Sequence, residues 1–432
     1  MSRTTTIHNF KAWLKENGCE LHDDMDIAYS PQSGYSWIAK KDIAQETEIV
    51  SVTEGVCITR DSCRKLFHAL SYTPLREDIL VVVYLALHYN YDNQSDSLQR
   101  ALKHRAYVAM LPPIGSTLTT LYWTPTELEY TQPTSLYNTT RERELQWQRD
   151  YVFVTDWLAS NGLASFSYDV FKHSLTMLSS RSFPSKLISG SGSGNADTSM
   201  SSSDDTSGSS TPMLVPLWDI GNHKPMSAVV WKDSIYTRTS KIAISLPHGA
   251  LEGSEVFNNY GAKATNELLL AYGFAVDNLE YDIVPFKVGA GAGMDFSQRK
   301  QDLLRKWNLL LEDGSLCTFN LSLTQNMPVG LRFLMRSLAD ENISDEGACS
   351  LQTLDDSPST NQDIEFDLHA ALFHMLENKA MSTSQTLKTL LANRDTVREN
   401  VLVMLQSLLT NQVIILTRAV DAIEEVLERL SA

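Results

Sequence analysis

The sequence predicts a mixed α and β protein whose two ends are rich in helix, and three patterns support this class. Apolar side chains at Ile242, Ile244 and Leu246 follow the period-2 alternation of a β-strand. Residues 61–110 carry apolar side chains at helical spacing. Near the end of the chain, apolar residues again recur at helical spacings, and they are Val413, Leu416, Val420, Ile423, Leu427 and Leu430.

The overall composition is that of an ordinary soluble protein, with 432 residues, 43% hydrophobic and 20% charged. This length suggests about two to three domains. The formal net charge of −16 argues against general nucleic-acid binding, which needs a basic face. An acidic surface instead favours Lys- and Arg-rich protein partners by electrostatic steering, although solubility alone also explains it.

The cysteines and the apolar runs indicate the compartment. Five scattered cysteines without a C-x-x-C pair predict reduced thiols and no zinc site or other metal. The first ten residues lack the apolar core of a signal peptide. The longest apolar run, residues 79–87, is too short to cross a membrane. We therefore expect a cytoplasmic or nuclear protein that binds no membrane and no nucleic acid.

The helix and strand patterns of the first half follow one another in a clear order along the chain. Residues 7–17 have the spacing of a short amphipathic helix, and residues 34–60 that of short strands separated by polar turns. Helical patterns over 61–110, 141–160 and 168–183 then form a helical block between two β-rich pieces. The sequence therefore predicts a β-rich core that is interrupted by helices.

The second half begins with a serine- and glycine-rich stretch, residues 189–210, which has almost no apolar content. Such a stretch predicts a disordered loop inside one domain, with a linker between independent domains as the alternative. After a strand pattern, "TNELLLAYGF" predicts a short helix capped by Thr265 or Asn266. The final third is helical, and its apolar seam is only about three heptads long, which favours core packing over a coiled-coil dimer.

Three short motifs contain polar residues of possible chemical use, but each is weak alone. Asn222-His223 is usually a satisfied polar pair, Tyr260-Gly261 an ordinary turn, and Arg181 in "SRSF" a surface ion pair or helix end. Their order and spacing along one chain make them informative together.

Taken in order, these stretches resemble SET-domain protein methyltransferases of the Rubisco large-subunit methyltransferase and actin-histidine methyltransferase branch. The matches are collinear and cover roughly residues 7–285, and the last of them is the most specific. The phrases that carry the resemblance are "SGYSWIAKKDIAQETEIVSV", "HRAYVAMLPP", "LYWTPTELEY", "SSRSF", "PLWDIGNH" and "GSEVFNNYGAKATNELLLAYGF".

This resemblance implies an α+β fold. A β-rich SET core, residues 1–285, would be split by a helical insert at about 61–178 and followed by an α-helical substrate-binding domain, residues 286–432. The D-x-x-N-H segment of such a fold threads beneath the chain end that carries the tyrosine, in a knot-like crossing. Helices after the core take the place of the cysteine-rich zinc segment of other SET enzymes.

The resemblance also implies S-adenosylmethionine as the cofactor and Tyr260 as the catalytic residue. Methyl transfer needs a neutral, in-line nitrogen, and Tyr260 would orient it by hydrogen bonding and shape the channel around it. A free tyrosine pKa near 10 makes it a poor base at neutral pH. The cofactor-binding residues that the resemblance implies are Ser33, Gly34, Tyr35, Arg181, Asp219, Asn222, His223, Tyr260, Tyr272, Gly273 and Phe274.

Several of these residue types suit the cofactor chemically. An Asn side chain both donates and accepts hydrogen bonds, and a His ring or backbone can bond the adenine edge. The forked donors of Arg181 suit the cofactor carboxylate. One position departs from the family, because its opening G-x-G reads Gly34-Tyr35-Ser36 here.

Four functions are compatible with the sequence. The leading interpretation is methylation of a lysine in a basic protein of the ribosomal-protein or elongation-factor class, by an enzyme that we expect to be a monomer. Histidine methylation is the second. The replacement of the second glycine by Ser36 motivates a third, an inactive SET-fold binding module. A helical scaffold that depends only on the C-terminal third is the fourth.

Overall fold

The computed structural model describes residues 2–189, 210–237, 240–288, 296–339 and 362–431. The loop predicted at about 189–210 lies outside the described residues except for its two ends. Within these ranges the chain forms two compact units. The first unit comprises residues 1–122, 141–263 and 271–273, and the second comprises residues 123–140, 264–270 and 274–432.

All strands among the described residues pair in antiparallel fashion. Their bounds are β1 Glu20–Leu21, β2 Met25–Ser30, β3 Gly34–Ala39, β4 Thr47–Thr53, β5 Ser182–Pro184, β6 Pro212–Leu214, β7 Val230–Lys232, β8 Lys241–Leu246, β9 Glu255–Val256, β10 Val284–Lys287 and β11 Thr318–Leu321.

Helices fill the remainder of both units. Their bounds are α1 Arg3–Glu16, α2 Arg60–Ala69, α3 Leu80–Tyr89, α4 Asp96–Ala101, α5 Arg105–Val108, α6 Pro125–Glu129, α7 Ser135–Ser160, α8 Tyr168–Arg181, α9 Lys186–Ser189, α10 Ser234–Thr237, α11 Thr265–Glu267, α12 Gln298–Lys306, α13 Val329–Ala339, α14 Gln362–Ala392 and α15 Glu399–Ser431.

The β-strands of the first unit form small sheets. One has the strand order β1-β4-β8-β7, a second has the order β2-β3-β9, and β5 pairs with β6. The order confirms the β-rich core that the sequence predicts, with helices α2 to α8 inserted between β4 and β5. Capping explains where several of these helices begin: in α2, for example, Thr59 and Ser62 form a reciprocal capping box.

The period-2 pattern of β8 predicts one buried and one exposed face, but both faces of this strand are buried. Ile242 and Ile244 are fully buried as predicted, but Ala243 and Ser245 between them are buried as well. The strand lies between β4 and β7, and both of its faces are covered. Small side chains on the second face leave room for that close packing.

The second unit is built around the two long helices α14 and α15. Buried residues on α15 include Leu416 and Ile423 from the predicted seam, and they belong to a core shared with Leu372 and Leu376 of α14. By length and composition alone α15 could cross a membrane. Its buried face instead identifies it as a core helix of this unit. An ion pair at 2.7 Å between the buried Glu127 of α6 and the partly exposed Arg398 links residues 123–140 of this unit to its C-terminal helices.

The predicted cap of the "TNELLLAYGF" helix is wrong. Ala264 is the N-cap residue, Thr265 is the first helical residue, and the helix continues as a π-helix over Leu268–Tyr272. The hydroxyl of Thr265 donates elsewhere, to the carboxylate of Asp282 at 2.8 Å. A capping residue must lie just outside the first turn with its side chain directed at the helix, and Thr265 does neither.

Candidate active site

The D-x-x-N-H segment and the segment that leads to Tyr260 lie side by side in the first unit. His223 and Asn258 form an isolated parallel β-bridge. The backbone amide of Asn258 donates to the carbonyl oxygen of Asn222 at 2.8 Å, and the backbone amide of Lys224 donates to the carbonyl oxygen of Asn258 at 3.1 Å. Both bonds use the neighbours of His223 rather than its own peptide groups. The two motifs that the sequence predicts to converge therefore do so.

Tyr260 is held to this crossing by two hydrogen bonds. Its hydroxyl donates to the carbonyl oxygen of Gly221 at 2.9 Å. Its backbone amide donates to Nδ1 of His223 at 3.1 Å. Because a protonated Nδ1 cannot accept, the second bond requires a neutral His223 with its proton on Nε2.

Three rings stack at this point. The rings of His223 and Tyr260 have centroids 4.9 Å apart and an interplanar angle of 19°. The rings of Tyr260 and Tyr272 are 5.2 Å apart at 27°. The stack brings together three predicted site residues from separate motifs and forms an aromatic wall beside the Tyr260 hydroxyl.

The residue at position 221 must be a glycine because the space around it holds no side chain. A Cβ on this residue would lie 2.4 Å from the ring of Trp37, which is fully buried on β3. The indole Nε1 of Trp37 donates to the carbonyl oxygen of Leu217 at 3.2 Å. Leu217 itself has a φ of 77°, a left-handed conformation that non-glycine residues seldom adopt. Strand β3 thereby fixes the path of the D-x-x-N-H segment.

Asp219, two residues before Gly221, forms a polar cluster with Arg181. The Nη1 atom of Arg181 donates to the backbone carbonyl of Asp219 at 2.9 Å and lies 3.3 Å from its carboxylate. The hydroxyl of the buried Tyr107 donates to the same carboxylate at 2.9 Å. Arg181 is the last residue of α8, so the helix predicted over 168–183 ends two residues early, where Ser182 begins β5. Its ion pair is largely buried rather than at the surface.

Burial and local charge set the protonation of the site. Burial raises the pKa of the Tyr260 hydroxyl to about 12, although the cation of Arg181 partly opposes this. Burial, assisted by the charge of Lys263, lowers the pKa of His223 to about 4. At neutral pH the phenol is therefore protonated and the imidazole neutral, which agrees with the hydrogen bonds that they form.

Burial also raises the pKa of Asp219, against the opposing effects of Arg181 and the Tyr107 hydroxyl. The carboxylate oxygen Oδ1 of Asp219 is buried and has no hydrogen-bond partner among the described residues. On Arg181, the described hydrogen bonds to protein atoms use Nη1 alone, which leaves the donors on Nη2 and Nε for another group.

The predicted opening motif lies where the turn after β2 leads into β3: Ser33 is in the turn, and Gly34 and Tyr35 begin the strand. Ser33 is bonded to the hydroxyl of Ser30, and Gly34 has a φ of 74°. Tyr35 packs edge-on against Tyr29, with ring centroids 5.1 Å apart. The described contacts of Ser33, Gly34 and Tyr35 thus stay close to the hairpin and do not include the ring stack. The buried Ser36 shows that β3 accommodates a side chain where the family has its second glycine.

The remaining predicted residues follow Tyr272. Gly273 has a φ of 80°, and a Cβ there would lie 2.5 Å from the backbone nitrogen of Thr119. A glycine is therefore needed both for conformation and for space. Phe274 falls in the second unit, and its role stays a prediction.

Sequence reasoning did not assign four residues that shape this site. Gly221 accepts the Tyr260 bond, Tyr107 anchors Asp219, Lys263 influences His223, and Glu255 accepts a hydrogen bond from the side-chain amide of Asn222 at 2.8 Å. All four lie inside the phrases that carry the resemblance, and Glu255 and Lys263 are only five and three residues from Tyr260. Spacing places them near the site, but their partners, such as Asp219 for Tyr107 and Asn222 for Glu255, become visible only in the folded chain.

The residues at the crossing fit S-adenosylmethionine by donor chemistry. The spare donors of Arg181 suit a carboxylate, and the unpartnered Oδ1 of Asp219 suits a donor such as an ammonium. The aromatic stack offers a flat apolar surface. Among the described residues, no group of three His, Cys, Asp or Glu side chains is placed to hold a metal ion.

Comparison with known proteins supports the same fold. The chain is 27% identical over 296 residues to the ribosomal lysine N-methyltransferase set10 of Schizosaccharomyces pombe, covering 67% of this chain and 49% of that protein. It is 22% identical over 313 residues to ribosomal lysine N-methyltransferase 1 of Saccharomyces cerevisiae, and this match covers 64% of this chain and 50% of that protein. The chain thus spans about half the length of these curated relatives. No protein-family model matches the chain.

Solved structures extend the comparison to the whole chain. The SET domain of LSMT bound to lysine and AdoHcy superposes with a TM-score of 0.74 at 19% identity, covering 100% of this chain and 93% of that one. Rubisco LSMT bound to AdoMet superposes with a TM-score of 0.75 at 18% identity, again covering 100% of this chain and 93% of that one. The predicted α+β SET fold with a helical C-terminal region is confirmed, and so is the resemblance of the chain to Rubisco LSMT.

Proposed function

We propose that this chain carries the catalytic site of an S-adenosylmethionine-dependent protein-lysine methyltransferase. The observation that supports this most directly is the convergence of Tyr260, His223 and Tyr272 in one ring stack beside the Arg181–Asp219 pair. The similarity to two ribosomal lysine methyltransferases supports a lysine acceptor. A ribosomal protein is the acceptor class that we propose, because such proteins are basic and this chain carries a net charge of −16.

The cofactor would be held by the spare donors of Arg181, by Asp219 and by the Asn222-His223 segment. When bound, it supplies a methyl group on a positively charged sulfur, which is open to direct displacement. The chain must then present the acceptor nitrogen neutral, in line and shielded from water. Burial disfavours the charged form of a lysine, so an apolar channel lowers its pKa before transfer.

Tyr260 acts in this scheme as a protonated hydrogen-bonding group. With a pKa raised to about 12, its hydroxyl is a poor general base at neutral pH. The bond to the Gly221 carbonyl fixes the direction of the phenol oxygen, whose lone pairs can accept a hydrogen bond from the incoming amine. The stacked rings of His223 and Tyr272 hold the phenol in place and exclude water from its faces.

The test uses a cell extract from a strain that lacks the gene, incubated with labelled S-adenosylmethionine. The wild-type protein should label one dominant ribosomal protein, and Tyr260→Phe should not. Tyr151→Phe is the matched control, because Tyr151 also donates its hydroxyl to a backbone carbonyl, that of Phe166 at 2.7 Å. Acid hydrolysis of the labelled protein should yield methyl-lysine; methyl-histidine or no label would refute the proposal.

Location and assembly are proposed on sequence grounds. Four of the five cysteines lie among the described residues and are free thiols, three of them buried. Free thiols are usual in a reducing compartment, and we propose a monomer in the cytoplasm or nucleus.

A further inference from the structure

A groove of about 520 Å³ lies between the first turns of α14 and the last turns of α15, within the second unit. It takes no part in the candidate active site described above. Its lining is formed by Phe366, Phe373, Glu424, Leu427, Glu428 and Ser431.

The lining residues are arranged as two helix faces. Phe366 and Phe373 are seven residues apart on α14, so they lie on one side of that helix. On α15, Glu424, Leu427 and Glu428 are three and four residues apart and share a face in the same way. The groove thus presents an aromatic stripe on one wall and alternating carboxylates and leucine on the other.

The apolar part of this groove is accessible. Phe366 is 40% exposed, although phenylalanine side chains usually contribute to a core. Seven residues of α-helix extend about 10 Å, so the groove is about as long as two turns of a helix. These dimensions match the helix-in-groove mode, in which a short amphipathic helix inserts apolar side chains between two others.

The charged part selects the partner. Glu424 and Glu428 are exposed and have no ion pair among the described residues. They are the two carboxylates of the lining, and the single arginine of residues 421–431, Arg429, donates its Nε to the backbone carbonyl of Glu425 at 3.2 Å. A wall of this kind attracts Lys and Arg side chains and repels an acidic segment.

We propose that this groove docks a short, basic, amphipathic helix of the protein that receives the methyl group. This proposal rests on the proposed function for the identity of the partner, but the groove and its charge are independent of the chemistry at Tyr260. A second copy of the chain is a poorer occupant, because it carries a net charge of −16 and would bring like charges together.

The test measures binding of a fluorescent peptide by anisotropy. The probe has about 14 residues, four turns of helix, with leucines on one face and lysines on the other. We expect saturable, micromolar binding that weakens at high salt, and no binding of a peptide with glutamates in place of the lysines. Failure of the wild-type protein to bind the lysine peptide would overturn the proposal.

Matched variants assign the binding to the groove. The double change Glu424→Gln and Glu428→Gln removes two lining charges, and Phe366→Ala removes an apolar contact; each should weaken binding by about tenfold. The controls are Asp421→Asn with Glu425→Gln, which removes two exposed charges outside the lining, and Met381→Ala, which removes a side chain 56% exposed on α14. Equal weakening in both sets would show that the peptide binds elsewhere.

Two further measurements separate this proposal from its rivals. If a second copy fills the groove, sedimentation will show a dimer that Phe366→Ala dissociates, and the proposal fails. The lining variants should bind S-adenosylmethionine as tightly as the wild type does, and Tyr260→Phe should bind the peptide normally. If the wild-type protein and all variants bind the peptide but none of them transfers a methyl group, only the proposed function is refuted. If the lining variants methylate the protein substrate with an unchanged KM, only the docking role is refuted.

Discussion

The hydroxyl of Tyr260 donates a hydrogen bond of 2.9 Å to the carbonyl oxygen of Gly221. This bond joins two chain segments that are about forty residues apart and are already linked by the bridge between His223 and Asn258. Since Gly221 is pressed against the ring of Trp37, the acceptor cannot move without disturbing the core. The phenol is therefore held in one direction, as a group that positions a reacting nitrogen must be.

Replacing Tyr260 by Phe should remove the reaction and leave the fold largely intact. The ring stack survives, and the lost hydrogen bond should cost about 1 kcal/mol of unfolding free energy. Methyl transfer should fall by roughly a hundredfold or more, as when a positioned hydrogen-bonding group is removed from an active site. Initial rates and urea unfolding check both parts, with Tyr151→Phe as the control. A variant that keeps half of the wild-type rate would contradict this role.

Gly221→Ala should be destabilising because its methyl group would overlap the Trp37 ring. Forcing extra volume into a packed core typically costs about 1 to 3 kcal/mol. Denaturant unfolding measures the cost. Gly55→Ala is the control, since nothing lies within 4 Å of its added Cβ. Equal stability of the two variants would show that the crossing is less tightly packed than described.

Asp219→Asn should destabilise the first unit more than the loss of a surface pair does. It leaves the charge of Arg181, whose side chain is 25% exposed, without its counter-ion. We expect a loss of about 2 to 4 kcal/mol, less than for a fully buried pair. Glu20→Gln, which breaks the exposed pair with Lys241, should cost less than about 1 kcal/mol. Unfolding curves in which both variants behave alike would argue against a buried ion pair.

Acid should destabilise the protein before its carboxylates titrate fully. Burial lowers the pKa of His88 to about 3 and that of His104 to about 4, both below the usual value of 6.5. The unfolded chain therefore binds more protons than the folded one between pH 6.5 and about pH 4, and stability falls as the pH falls through this window.

Each of these histidines should contribute a slope of about 1.4 kcal/mol per pH unit within that window. Urea unfolding at several pH values measures the slope. His88→Asn should make it shallower, whereas His68→Asn, at an exposed position, should leave it unchanged. A free energy of unfolding that stays constant or rises as the pH falls from 6.5 to 4.5 would refute this account.

The sequence was sufficient where local pattern and chain order determine the structure. The start of α8 at Tyr168 lies where the sequence predicts, because it depends on residues within a few positions, and the D-x-x-N-H and Tyr-Gly motifs converge as the chain order of the recognised phrases predicts. The two faces of β8 and the first residue of α11 depend on neighbours far along the chain. Single-chain periodicity contains no information about those neighbours.

The same limit applies within the site. Tyr107 reaches Asp219 across more than a hundred residues, and Trp37 on strand β3 constrains Gly221. Such contacts arise from packing rather than from spacing, so they become visible only in the folded chain. The docking groove is a further case, because it arises from two helices whose separate patterns resemble ordinary core helices.

The most direct test of the central claim is a calorimetric titration of S-adenosylmethionine into the purified protein. If Arg181, Asp219 and the Tyr260 crossing form a cofactor site, the titration should show saturable binding with one site per chain. Arg181→Met should weaken that binding by about tenfold or more, because a charge-assisted pair with the cofactor carboxylate is lost. No heat with the wild-type protein, or equal affinity in the variant, would contradict the account.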